Sequence, residues 1–164
     1  MRDLFAYAVR CMEYLDNIGI EYGNVIDFSV NTRAQRRWGQ CRAVPGGYTI
    51  NINAVLLDER NSEEGLISTI LHELLHTCKG CMNHGENWKR LARKVNSAYG
   101  YDIKRTSSAD EKGITADPRL ETAKHKFVCE KCGRVVIRQR ESDFTRHYKL
   151  YTCGVCHSHF RKIF

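Results

Sequence analysis

Residues 71–88 read LHELLHTCKGCMNHGENW, and this stretch decides how the rest of the chain is interpreted. It contains His72, Glu73 and His76 in the order HExxH. Residues four apart share one face of a helix, so both imidazoles can reach one ion at ~2.0–2.1 Å. Glu73 lies about 100° around the helix from His72, so its carboxylate is beside the metal without being the obvious third ligand. A carboxylate there can take a proton as water attacks a carbonyl group.

Two sets of residues compete to complete this predicted metal site. His84 follows a break at Gly80, and a third histidine would leave the fourth coordination position open, as a hydrolytic zinc requires. Cys78 and Cys81 form a CxxC pair, but thiolates would close the coordination shell. We favour His84 and interpret the two cysteines as loop or core residues. A helix without metal is the remaining alternative, although its polar groups would be costly on so apolar a helix.

Periodicity predicts helices on either side of a small sheet. Apolar residues at helical spacing predict a helix over residues 3–18, ended by Gly19. The HExxH helix is expected to begin after Asn61, with Glu64 three residues on in a capping box. A further helix is expected from Trp88 to Gly100.

Alternating apolar residues predict strands near residues 25–30 and 48–52, and another strand is expected near residues 38–43. The Pro45-Gly46-Gly47 sequence predicts the turn between the last two strands. We therefore expect an α+β fold in which a small antiparallel sheet packs on the helices.

Length and composition restrict the possible classes of protein. A chain of 164 residues can bury one ordinary core and a small additional module. It has no run of 18 apolar residues, so no membrane span or membrane partner is expected. The charged N-terminal residues argue against a signal peptide, and we expect a cytoplasmic protein. In that reducing compartment the eight cysteines are expected to bind metal or to be buried.

The C-terminal part contains two CxxC pairs, formed by Cys129, Cys132, Cys153 and Cys156. With 20 residues between the pairs, this spacing predicts a closed, tetrahedral zinc site in a zinc ribbon over residues 125–164. Zinc would supply on the order of 10 kcal/mol or more of folding free energy. Gly133 and Gly154 are expected to form the tight turns at the sulfurs. His157 and His159 are possible substitute ligands, but we expect them on the surface.

The positive charge is concentrated in this ribbon. Residues 121–164 contain 10 Lys/Arg and 4 Asp/Glu, whereas residues 1–120 contain 16 and 15. Basic residues interleaved with aromatic ones suit single-stranded or irregular nucleic acid, where bases can stack, and DNA is the expected partner. The predicted contacts are Arg134, Arg138, Arg140 and Lys149. The aromatic residues have the alternative of packing the ribbon core; they are Phe127, Tyr148, Tyr151 and Phe160.

These motifs together resemble the SprT-like (Spartan-type) zinc metalloproteases, in particular the small bacterial members. The matching elements are HELLH, then His84-Gly85-x-x-Trp88, the upstream Arg36-Arg37-Trp38-Gly39-Gln40-Cys41-Arg42, and the cysteine pairs. Members of this family are zincin-type metallopeptidases, and the studied eukaryotic ones degrade proteins crosslinked to DNA.

The resemblance implies a role for each matching residue. It implies that His72, His76 and His84 are zinc ligands and that Glu73 is the general base. It also implies that Trp38 and Gly39 border the substrate cleft, where an extended peptide can add to the sheet edge. A buried strand with a close backbone approach at Gly39 is an alternative that does not exclude this role.

The chain is therefore expected to contain a SprT-like metalloprotease domain over residues 1–100, a connecting segment over 101–124 and the ribbon over 125–164. The leading function is a zinc-dependent endopeptidase with one catalytic and one structural Zn²⁺, acting on DNA-associated or DNA-crosslinked proteins. The alternatives are a non-catalytic nucleic-acid-binding protein with two structural zincs and a zinc hydrolase acting on a non-peptide bond. The presence of Glu73 favours an enzyme, because a structural site needs no base.

Overall fold

The computed structural model describes residues 1–34, 37–117 and 121–164, and it divides into two compact units, Met1–Ala116 and Asp117–Phe164. Each unit combines helices and strands and has its own hydrophobic cluster, which confirms the α+β class. None of the helices in these ranges has the length and apolar character that crossing a membrane requires. Arg36 of the upstream motif and residues 118–120 lie outside the described residues.

The helices of the first unit are α1 (Leu4–Asn17), α2 (Glu63–Thr77) and α3 (Glu86–Tyr99). Asp3 caps α1 through its side chain. Gly100 ends α3 with a φ of 76°, a left-handed conformation that favours glycine. These bounds confirm the helices predicted from the apolar spacing.

The predicted start of α2 is wrong by one residue. Ser62 is the N-cap, and its hydroxyl accepts a hydrogen bond from the amide of Gly65 at 3.4 Å. Asn61 is buried and does not cap the helix. Its side-chain amide donates to the carbonyl of Ala116 at 2.7 Å, and its oxygen accepts from the amides of Thr115 and Ala116. The side chain of Asn61 therefore ties the end of this unit to the start of α2.

The sheet of the first unit is mixed, with strands in the order β1-β3-β2: β1 is Val25–Asn31, β2 is Gly39–Val44 and β3 is Gly47–Asn53. β2 and β3 form the predicted antiparallel hairpin, but β1 is parallel to β3. The expectation of a purely antiparallel sheet is therefore wrong. The reason is that β2 lies between β1 and β3 in the chain and runs opposite to β3. It therefore forms part of the connection that lets β3 lie beside β1 in the same direction. β2 lies at the edge of the sheet.

Residues 101–116, which the sequence assigned to a connecting segment, are packed into the first unit. Ile103 is buried in the core, and the side chain of Asn96 bonds both its amide at 2.8 Å and its carbonyl at 3.1 Å. At Gly65 on α2, an added Cβ would lie only 2.1 Å from the carbonyl oxygen of Lys112. This segment therefore lies directly against the central helix.

The second unit contains an antiparallel sheet and a short helix. The strands β4 (His125–Cys129), β5 (Val135–Arg138) and β6 (Phe160–Lys162) have the order β5-β4-β6, and α4 is Asp143–His147. Phe127 and Phe160 are buried in its core, with Phe144 and Tyr148 packed against them. Buried rings cannot stack on nucleic-acid bases, so the core-packing alternative holds for Phe127 and Phe160.

Each CxxC pair is closed by the same backbone turn. The amide of Gly133 donates to the carbonyl of Cys129 at 3.1 Å, and the amide of His157 donates to that of Cys153 at 2.8 Å. Both donors have a positive φ, 71° for Gly133 and 57° for His157. Gly154 lies within the second turn as predicted, but the left-handed residue of each turn is the one after the second cysteine, which is His157 and not a glycine in the second pair.

Replacing His157 with glycine is expected to stabilise the second unit, because a side chain in the left-handed region costs about 1–2 kcal/mol. Glycine's greater freedom in the unfolded chain offsets part of this, which leaves a gain of about 0.5–1 kcal/mol. The measurement is urea unfolding of the zinc-loaded full chain. Gly133→Ala is the matched control at the equivalent position, and it should destabilise by a similar amount. Two shifts in the same direction would contradict this account of the turns.

Candidate metal centre

The structure brings His72, His76 and His84 together around one point. The Nε2 atom of His84 lies 3.0 Å from that of His72 and 3.2 Å from that of His76. A tetrahedral zinc with ~2.0–2.1 Å bonds to nitrogen separates its ligand atoms by about 3.4 Å, so the three atoms are close to the spacing that zinc requires. Three imidazoles with converging ring nitrogens therefore fit a divalent ion of this type.

The loop after α2 positions His84 and also fixes the ring of His76. Gly80 has a φ of 74°, which turns the chain back towards the helix. Nδ1 of His76 lies 2.7 Å from the carbonyl oxygen of Cys81, and donation there leaves Nε2 with a lone pair for a metal. The thiols of Cys78 and Cys81 are buried in the core. The CxxC pair thus contributes a backbone carbonyl to the site, and the three clustered ligand groups are all histidines.

Trp88 of α3 holds the three rings from one side. Its ring centroid lies 4.7 Å from that of His72, 5.6 Å from His76 and 4.6 Å from His84. His72 also forms a hydrogen bond with the backbone of Lys104, and burial lowers the pKa of His72 to about 3. Burial also lowers the pKa of His76 and His84, so the surroundings favour the neutral imidazole form that binds metal, and the packing restricts the orientation of the rings.

The carboxylate of Glu73 is buried next to this cluster and packs on Gly39 of β2. An added Cβ at Gly39 would lie 2.5 Å from Oε1 and 2.6 Å from Cγ of Glu73, so a side chain at this position would displace the carboxylate. The backbone amide of Cys41 donates to the carboxylate, while burial raises the pKa of Glu73 to about 7. The WGxC sequence of β2 thus supplies both the space and a hydrogen bond for Glu73.

A cavity of about 310 Å³ opens beside His72 and Glu73. Trp38 forms part of its wall and donates from Nε1 to the carbonyl of Ser107 at 3.0 Å. The side chains and backbone that line it come from the two residues before β2, from β2, from α2 and from the 101–116 segment; they are Arg37, Trp38, Gly39, Thr69, His72, Glu73, Lys104, Arg105, Thr106, Ser107 and Lys112. The structure therefore places both residues predicted for a cleft, Trp38 and Gly39, at a cavity next to the histidines.

Lys112 in this wall was not predicted from the sequence. It is 7% exposed, and its Nζ donates to the hydroxyl of Ser68 at 2.9 Å. Burial lowers the pKa of Lys112 to about 8, against the opposing influence of Glu73. Lysines are usually exposed, and the segment around this one has no apolar period, so nothing in the sequence marked it as buried.

The four cysteines of the second unit form the other group of possible metal ligands among the described residues. Sγ of Cys129 lies 3.3 Å from that of Cys156, and Sγ of Cys132 lies 3.7 Å from that of Cys153. Zinc with ~2.3 Å bonds to sulfur requires about 3.8 Å. Backbone amides of the turns lower the pKa of the Cys129 and Cys153 thiols, which favours thiolates at these two positions, whereas hydrogen bonds with the neighbouring thiols raise the pKa of Cys132. His157 and His159 lie outside this group.

The basic residues predicted to contact DNA are exposed on the second unit. Arg138 lies with its guanidinium carbon 5.2 Å from the ring centroid of Phe144, and Tyr151 nearby is 42% exposed. The other predicted contacts are exposed as well; they are Arg134, Arg140 and Lys149. Their contact with DNA stays a prediction.

The site residues define a protein with two candidate metal centres. One is the cluster of three histidines on and beside α2 with a buried glutamate next to it, and the other is the separate group of four cysteines. Residues 11–108 match the SprT-like family, and the chain belongs to this family. The resemblance drawn from the motifs is thereby confirmed. The curated relative Protein SprT-like of Enterococcus faecalis is 31% identical over 103 residues, which is 58% of this chain and 55% of that protein. The matched region thus spans about half the length of this relative.

Proposed function

We propose that this protein is a zinc-dependent endopeptidase that cleaves DNA-associated or DNA-crosslinked proteins. The observation that carries the proposal is the buried Glu73 carboxylate beside three converging imidazoles, at the edge of a cavity. A non-catalytic protein with a structural metal would have no use for a carboxylate kept in place by a glycine. Family membership supports the proposal.

The chain's own residues have distinct roles in this reaction. His72, His76 and His84 would hold the zinc, which when bound supplies Lewis-acid polarisation of a peptide carbonyl. Glu73 accepts the proton of the attacking water and returns it to the leaving amine. Gly39 and the amide of Cys41 keep the carboxylate in position, as general-base catalysis requires.

The sheet edge supports an extended peptide as the substrate. β2 pairs with β3 on one side and lies at the edge of the sheet order, so its other side can form backbone hydrogen bonds with a substrate strand. Gly39, the first residue of β2, and Trp38 immediately before it line the cavity next to Glu73, which supports binding of the substrate strand beside this carboxylate. A segment must be unfolded to bind in this way, which favours loosely folded proteins as substrates.

The experiment that tests the proposal measures cleavage of a loosely folded DNA-binding protein, free and bound to single-stranded DNA. The zinc-loaded natural chain is compared with its Glu73→Gln variant at equal concentration. Cleavage by the natural chain that is lost in the variant supports an endopeptidase. Equal cleavage by both would refute the assigned base, and cleavage by neither would refute the peptidase.

Gly39→Ala is expected to lower kcat about 10²-fold while zinc remains bound. The added methyl group collides with Glu73, and a displacement of about 1 Å in a catalytic group can have an effect of this size. Arg42→Ala, at an exposed position of the same strand, is the control and should leave kcat unchanged. The measurement is kcat together with zinc content. A variant with natural kcat would show that the position of Glu73 does not depend on Gly39.

DNA binding is proposed for the second unit, on the support of its excess of basic residues. Each phosphate contact that is lost changes the salt slope by about 0.7 for a single strand. Replacing Arg134, Arg138 and Arg140 together with glutamine should therefore weaken binding and flatten the slope by up to about two. The measurement is affinity for a single-stranded oligonucleotide across a salt series. Replacing the exposed Arg90, Arg93 and Lys94 of α3 by glutamine is the matched control. An equal effect of both triple variants would place the DNA contact elsewhere.

A further inference from the structure

Lys112 is a buried cation whose ammonium group has hydrogen-bond donors that are not all used. Its Nζ donates to the hydroxyl of Ser68 at 2.9 Å, whereas an ammonium group has three hydrogens to donate. Within the described ranges, no carboxylate pairs with Lys112 at a distance of 4.0 Å or less. A charge in so buried a position is costly without a partner, and a bound anionic group would supply one.

The acidic groups nearest to Lys112 already have other partners. Asp102 and Glu111 both accept hydrogen bonds from Nζ of Lys104, at 2.9 Å and 2.7 Å. Glu73 accepts from the amide of Cys41 and packs on Gly39. These contacts leave Lys112 as a donor that the folded chain does not saturate.

Lys112 lines two cavities. The smaller one, of about 210 Å³, also contains Ser68 and has acidic side chains in its wall: Glu64, Asp102, Asp110 and Glu111. The one beside Glu73 has an excess of positive charge. Arg37, Lys104, Arg105 and Lys112 contribute to its wall, against the single carboxylate of Glu73. Its volume of about 310 Å³ is at the lower end of the range for ligand pockets, which suits one side chain better than a large ligand. Arg37 and Arg105 are exposed, so they can attract an anionic group towards the buried Lys112.

We propose that this cavity binds an aspartate or glutamate side chain of the peptide substrate, and that Lys112 is the residue that selects for it. The inference rests on the proposed peptidase, because a peptide lying along β2 past Glu73 would place a side chain at the cavity. Ser68 orients the ammonium group from α2, and the close contact of Gly65 with the backbone of Lys112 fixes the height of the lysine above that helix.

The test measures peptide binding apart from catalysis. Fluorescence anisotropy is recorded for the zinc-loaded full chain carrying Glu73→Gln, with acetylated and amidated alanine-rich octapeptides. Each set has glutamate, glutamine or lysine moved through the eight positions. At one position glutamate should bind about 10–100-fold more tightly than glutamine, as a charge-assisted hydrogen bond to a buried group does. Adding Lys112→Met should bring this ratio close to one while binding of the glutamine peptide is unchanged.

Two controls give each outcome a definite meaning. Lys94→Met removes a positive charge at an exposed position of α3 and should keep the preference. A peptide with a free C-terminal carboxylate and no glutamate tests whether the cavity takes a chain terminus instead, and stronger binding of that peptide would overturn the proposal. So would an equal loss of binding for all peptides in Lys112→Met, which would indicate a positioning role.

Equal affinity for glutamate and glutamine at every position would also overturn the proposal, even if Lys112→Met does not fold. Binding is measured with the catalytic base removed. A preference for glutamate without cleavage by the natural chain would therefore refute the peptidase and leave the anionic subsite standing. Cleavage by the natural chain without a preference for glutamate would refute the anionic subsite and leave the peptidase standing.

Discussion

Glu73→Gln should retain zinc and fold normally while its peptide hydrolysis falls by about 10²–10⁴-fold, the usual contribution of a general acid–base group. The amide has nearly the shape of the carboxylate and fits the space above Gly39. It cannot accept a proton from the attacking water. Because a neutral group replaces a buried charge, the melting temperature should stay the same or rise.

The measurement combines kcat/KM on one unfolded substrate with elemental analysis of zinc. Glu64→Gln, at an exposed position of the same helix, is the matched control and should retain natural activity. Loss of zinc in Glu73→Gln would show that Glu73 is a metal ligand. Activity within a few-fold of the natural chain would remove Glu73 as the base.

Cys153→Ser should unfold the second unit at 25 °C and reduce the zinc content from two ions per chain to one. The described core of this unit contains four buried residues, and two of them are the cysteines Cys129 and Cys153. Apolar burial on this scale cannot balance the entropy of ordering the chain, so the metal has to supply most of the folding free energy, ~10–16 kcal/mol. Losing one of four thiolates removes a large part of it.

Cys78→Ser is the matched control for this substitution. It also replaces a buried sulfur by oxygen, but at a cysteine outside the ligand groups. It should keep two zinc ions and destabilise the first unit by about 1–3 kcal/mol. Amide dispersion in NMR spectra, with elemental analysis, distinguishes the two variants. A folded second unit with two zinc ions in Cys153→Ser would contradict the four-thiolate site.

Local patterns were sufficient for the features whose geometry is local. The spacing of His72 and His76 places two imidazoles on one helix face wherever that helix lies. The two CxxC pairs bring thiols into one cluster because each pair is a single turn. His84 could be predicted as the third ligand because only seven residues separate it from His76, and a glycine lies in the break between them.

Features that depend on contacts between distant residues were missed. The parallel pairing of β1 with β3 depends on the path that β2 takes between them, and the apolar periodicity of the sequence does not contain that path. Lys112 is buried because Gly65, nearly fifty residues earlier, lets its backbone approach α2. His157 adopts a left-handed backbone conformation, which is rare for residues other than glycine. The sequence therefore suggested the nearby Gly154 for this role.

The way residues 101–116 lie against α2 has a practical consequence for dissecting the protein. A fragment ending at residue 108, where the family match stops, would lack the backbone that satisfies the side chain of Asn61. Each polar atom left unsatisfied in the interior costs about 1–3 kcal/mol, comparable to the margin that keeps small domains folded. Such a fragment would also lack Lys112 and with it part of the cavity wall. The shortest fragment that keeps the cavity beside His72 and Glu73 intact therefore extends through Ala116.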